Sequence, residues 1–266
     1  MPKPKKFLTD EEIEERAAEV LDKHVLGARK SPKLPIDIDT LTECDFRFRV
    51  SWKPIIDPPG CRTYATLIPE AEPGLHVARL ILNENFREFL GEYPEVERLT
   101  RGHELCHWVV HIDEGKLKSG TLPFGSPEPQ VRFHRMYYSA NSLNNEKKNR
   151  LAQFAFQDER AYRILKKRES DPEGSIEPAW MHRQAEHFSA CLLVPRGPLF
   201  EILEGGSDPA LYGTIVALAN RFQVSRSVIQ IRLLKLGLIE EVGPGKFRNR
   251  KVTSYFDFNS KSTRIK

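Results

Sequence analysis

Apolar residues in the stretch TDEEIEERAAEVLDKHVL (9–26) fall at Ile13, Ala17, Val20, Leu21 and Val25. That spacing predicts an amphipathic helix, with Thr9 or Asp10 as its N-cap and acidic residues in the first turn. SPKLPIDIDTLTE interrupts the pattern with two prolines and restarts a short helix near Asp37. From 46 to 83 the pattern changes to β-rich runs, FRFRVSW, CRTYATLI and HVARLILN, separated by IIDPPG and PEAEPG. These predict a small antiparallel sheet. NENFREFLGEYP reads as a short helix or turn, and Arg98 to His111 as a helix with Leu99, Cys106, Val109 and Val110 on its apolar side. Residues 114–145 are rich in Gly, Ser and Pro and read as a loop or insertion, with a helical run from 149 to 170. A helix is expected over Ala179–Leu193, stopped by Pro195. A separate unit follows from about 207 to 241, and a basic tail from 242 to 266. No internal repeat is present.

A length of 266 residues allows one large domain or two modest ones, and 39% hydrophobic residues suffice for a packed core. A net charge of +4 is too weak to imply a nucleic-acid partner by itself. The N-terminal basic residues have no apolar run behind them, so no secretory signal is expected. Nor is any stretch near the ~18 apolar residues of a membrane span. Cys44, Cys61, Cys106 and Cys191 show no C-x-x-C spacing and are expected to be thiols in a cytoplasmic protein. Cys106 and Cys191 lie among apolar neighbours and should be buried.

The chemistry concentrates in RGHELCHWVVH (101–111), where His103, Glu104 and His107 spell H-E-x-x-H. Residues four apart share a helix face, so both imidazoles can address one point. Neutral imidazole is a good zinc ligand, and a carboxylate beside the first ligand can act as general base on water, the metalloprotease arrangement.

A catalytic zinc needs a third protein ligand. Asp113 stands six positions after His107, but Val110 occupies the midway position where a turning glycine is needed. His111 lies one turn further along the same helix, where three ligands converge poorly on a tetrahedral ion. His182 and Glu186 in MHRQAEHFSACLLVP are again four apart, with the small Ala185 between them allowing two helices to approach. The natural division makes His182 the ligand and Glu186 the acceptor of a bond from the far N–H of a ligating histidine.

Taken in order, RGHELCHWVVH, RQAEHFSACLLVP and ALANRFQVSRSVIQIRLLKLGLI resemble the ImmA/IrrE-type metallopeptidases. The first matches that family's H-E-x-x-H helix. The second is similar to its acid-x-x-Ala-x-x-Phe-Ala helix ending in Leu-Leu-Met-Pro, and the third to a small helical unit that follows in many members. The resemblance implies an α+β fold: a mainly helical zinc-peptidase domain over 1–206 with the small sheet, an insertion at about 114–170, and a helix-turn-helix-like unit over 207–241. It implies zinc on His103 and His107, Glu104 as base, and a third ligand at position 182. The family places glutamate there, whereas this chain has His182. A second departure is the 75 positions from His107 to His182, more than the family usually uses.

Three functions compete. The resemblance implies an intracellular peptidase that makes limited cuts in a regulatory protein, such as a helix-turn-helix repressor. The alternatives are a DNA-binding regulator, with Arg226, Gln230 and Arg232 on the second helix of the C-terminal unit, and a toxin–antitoxin-type interaction protein with a non-catalytic metal site. The weak net charge favours a C-terminal unit packed on the first domain over one that reads DNA. An uncoordinated Glu104 favours the peptidase.

Overall fold

The computed structural model describes residues 8–26, 31–56, 61–72, 75–112, 133–138, 179–243 and 245–250. Thr9 opens the first helix. Its hydroxyl accepts from the Glu12 N–H at 3.2 Å while the Glu12 carboxylate accepts from the Thr9 N–H at 2.8 Å, a reciprocal capping box. Helix α1 (Asp10–Leu21) buries Ile13, Ala17, Val20 and Leu21 and runs into a wider π turn, Asp22–Leu26. Asp37 caps the single turn α2 (Ile38–Thr40), its carboxylate accepting from the Thr40 N–H at 3.0 Å.

Strands β1 (Arg49–Lys53), β2 (Cys61–Glu72) and β3 (Leu75–Asn83) follow, and β4 (Phe133–Tyr138) completes a sheet of order β1-β3-β2-β4. The sheet is mixed rather than purely antiparallel, because β1 runs parallel to β3. Two successive reversals leave the first and third strands pointing the same way, and β3 is seated between β1 and β2. Alternation along a strand records which face is buried, not which neighbour lies beside it. The register pairs Ala65 with Leu82, Leu67 with Leu80 and Pro69 with Ala78. Ala65, Leu67, Ala78, Leu80 and Leu82 are all fully buried, in one core with Leu105 and Trp108.

Helices α3 (Arg87–Glu92) and α4 (Pro94–Cys106) lead to the motif, with Pro94 in the first turn where its missing N–H costs nothing. The α4 axis continues as a π turn, His107–His111. Helix α5 (Ala179–Leu193) packs against both α4 and α1. Beyond it come α6 (Arg196–Leu203), α7 (Tyr212–Phe222) and α8 (Arg226–Lys235). Gln223 ends α7 in the left-handed region at φ 52°, and Ser225 caps α8, its hydroxyl accepting from the Val228 N–H at 3.4 Å.

The expected tail boundary at 242 falls inside a hairpin: β5 (Ile239–Gly243) pairs with β6 (Lys246–Asn249). The basic character of GKFRNR suggested a solvated end. It does not prevent strand formation on an exposed hairpin, where Arg248 pairs with Glu240 at 2.6 Å. Residues 251–266 lie outside the described residues, as do the expected helix at 149–170 and the 114–170 insertion apart from β4. The chain is thus mixed α+β, with Cys106 and Cys191 buried as thiols and Cys44 an exposed one. Among the described residues no helix is long and apolar enough to cross a membrane.

Candidate metal centre

Two helices far apart in sequence build the site. Gly102 is the reason α4 and α5 can approach so closely: a Cβ there would stand 2.5 Å from Ser189 Oγ and 3.2 Å from Ser189 Cβ. Ser189 Oγ instead donates to the Leu99 carbonyl at 2.8 Å, bonding α5 to the backbone of α4 one turn before the motif. Ala185, fully buried, keeps the facing side of α5 small. Arg101 holds the other side of α4, with Glu97 at 3.0 Å, Asp39 at 3.1 Å and Glu43 at 2.8 Å.

This packing brings His103 of α4 against His182 and Glu186 of α5. His103 Nδ1 lies 3.2 Å from Glu186 Oε1, and His182 Nε2 lies 4.0 Å from the same oxygen. The His103 and His182 rings stand 4.9 Å apart between centroids. Donor atoms of His103, His182 and Glu186 all lie within 4.8 Å of one another, and such a group could hold a metal ion. His107 is outside that group, although its ring is 4.9 Å from that of His103. His103, Glu104 and His107 are fully buried, Glu186 nearly so, and the His182 side chain is a third exposed. The centre therefore has a protein side and a solvent side.

His111 does not turn toward this group. Its Nδ1 lies 2.9 Å from His107 Nδ1 and its Nε2 lies 3.0 Å from Gln184 Oε1. Gln184 Nε2 in turn donates to the Leu8 carbonyl at 2.9 Å. Asp113, the other position weighed as a ligand, lies outside the described residues. Gln184 drew no attention in the sequence, since an amide two positions after a histidine carries no signal of its own.

Among the described residues a second group also collects metal-type donors: Glu14, His187 and Cys191. Here Arg232 of α8, fully buried, reaches Glu14 with two nitrogens at 2.8 and 2.5 Å and donates a third bond to the Val194 carbonyl at 3.1 Å. Burial works to raise the Glu14 carboxyl, and Arg232 outweighs it, holding the group below its ordinary range. Burial pushes His187 down to about 4 and the Cys191 thiol up to about 12. His187 therefore stays neutral and Cys191 protonated at pH 7, and the carboxylate already has its counter-charge. The arrangement is a clamp joining α1, α5 and α8. Lys235 pairs with Asp10 beside it.

No protein-family model matches the chain, and no curated protein matches it.

Proposed function

We propose that the protein is a zinc-dependent endopeptidase of the ImmA/IrrE type that makes limited cuts in a regulatory protein inside the cell, a helix-turn-helix repressor being the substrate class the resemblance suggests. The observation that carries this reading is the convergence of His103, next to the fully buried Glu104, with His182 and Glu186 across the α4–α5 contact. Three imidazole nitrogens form a donor set that suits zinc. His103 and His107 with His182 would hold the ion, and zinc there would supply Lewis acidity to a carbonyl and acidify water.

The chain's own residues have separate tasks. Glu186 Oε1 stands 3.2 Å from His103 Nδ1, where a carboxylate favours hydrogen on that nitrogen and a lone pair on Nε2. Glu104 takes a proton from the attacking water on a carboxylate oxygen and delivers it to the leaving amine. The part-exposed His182 edge is where an extended substrate would enter. Replacement of Glu104 by Gln tests the assignment: zinc content should stay intact while cleavage of a repressor-type substrate is lost. Near-wild-type cleavage by this variant sinks the role.

The helix pair α7–α8, similar in pattern to a helix-turn-helix, we read as a packed part of the enzyme rather than a DNA reader. Arg232 is spent on Glu14 and Val194, and the Arg226 guanidinium lies 5.5 Å over the Tyr212 ring and donates to its hydroxyl oxygen. DNA binding that weakens steeply with added salt would overturn this.

A further inference from the structure

The chain of hydrogen bonds behind His107 has a definite direction, and that direction selects a nitrogen. It begins at a group with no freedom: the Leu8 backbone carbonyl can only accept, so the Gln184 atom 2.9 Å from it must be the amide nitrogen. The opposite amide orientation would set two carbonyl oxygens against each other. Gln184 Oε1 therefore faces His111, and the His111 Nε2 that lies 3.0 Å from it must carry a hydrogen. A neutral imidazole with hydrogen on Nε2 has only a lone pair on Nδ1. His107 Nδ1, 2.9 Å from that lone pair, must then be the donor.

From this order we infer that His111 and Gln184 are positioning residues that lock His107 into the Nδ1–H tautomer, so that Nε2 presents its lone pair to a metal. The reading rests on the proposed metal site, but the tautomer itself does not depend on metal being bound. His107 thus parallels His103, whose Nδ1 faces Glu186. At Nδ1 the two motif histidines meet different groups, a carboxylate oxygen at 3.2 Å for His103 and a histidine–amide relay for His107. The relay also ties the ligand to the backbone just before α1, since Leu8 immediately precedes the Thr9 cap.

Two-bond 1H–15N correlation of the histidine rings in the metal-free protein reads the tautomers directly. Expected are hydrogen on Nδ1 of His107 and on Nε2 of His111; hydrogen on Nε2 of His107 overturns the inference. Zinc affinity by chelator competition supplies the second readout. His111→Phe, which keeps the ring and removes the acceptor, should weaken zinc by ~10–100-fold and mix the His107 tautomers. His111→Gln, whose amide can accept from His107 and donate to Gln184, should restore affinity to within a few-fold of wild type. Equal losses in the Phe and Gln variants, with an unchanged His107 tautomer, would reduce His111 to a packing residue. If the intact protein binds no zinc while His107 still carries its hydrogen on Nδ1, the metal reading fails and the relay stands.

Discussion

Helix α5 carries two clusters of metal-type residues, and in one of them a buried arginine pairs with the carboxylate. At its outer turns His182 and Glu186 meet His103, and the facing donors are imidazoles and a carboxylate. At the next positions His187 and Cys191 meet Glu14, and a buried guanidinium, Arg232, supplies the positive charge from within the chain. The first group could hold a metal ion, whereas in the second the carboxylate is already paired with Arg232. Both groups consist of metal-binding residue types, and the buried guanidinium at Glu14 sets the second apart.

That contrast is broken most forcefully at the proposed third ligand. Replacing His182 by Ala should cost more zinc affinity than the ~10–100-fold expected for Glu186→Gln, while His182→Glu should recover binding by supplying a carboxylate ligand. The reverse ranking would make Glu186 the ligand. Cys191→Ala, in the other cluster, should leave zinc stoichiometry unchanged, and a drop would show the second group to be a metal site as well.

The clamp should instead answer in stability. Arg232→Met strands the Glu14 carboxylate and should cost ~3–5 kcal/mol, reduced somewhat because a quarter of the Glu14 side chain is exposed. Urea denaturation measures this, with zinc affinity unchanged. Because Arg232 holds the Glu14 carboxyl below its ordinary value near 4.5, the pair's contribution is complete above that pH. It is lost as pH falls through the lower folded value, so the wild-type advantage over Arg232→Met should shrink on acidification. A constant difference would argue against the ion pair as its source.

A smaller effect belongs to the helix contact that both clusters share. Gly102→Ala gains helix propensity of ~1 kcal/mol but drives a methyl into Ser189, so a net loss of ~1–2 kcal/mol is expected. Adding Ser189→Ala should return much of it; no recovery would place the strain elsewhere.

Much of this was legible because helical spacing is local. Four-residue intervals put His103 with His107 and His182 with Glu186 on common faces, and the first-helix cap at Thr9 and the span Ala179–Leu193 follow from side-chain chemistry within a few residues. What spacing does not contain is which faces meet. Gly102 against Ser189 sets the α4–α5 approach, and neither residue is distinguishable from an ordinary glycine or serine until the helices are packed. The weak net charge favoured a packed C-terminal unit, but nothing local marks Arg232 as its buried anchor, because its partner Glu14 lies more than two hundred positions earlier. The seating of β1 beside β3 is likewise a non-local choice.

Zinc stoichiometry of the metal-stripped intact chain, measured by equilibrium dialysis beside His103→Ala, tests the central claim most directly. One zinc per chain in the wild type and none in His103→Ala is the result the account predicts. No zinc in the wild type, or one retained without His103, would contradict it.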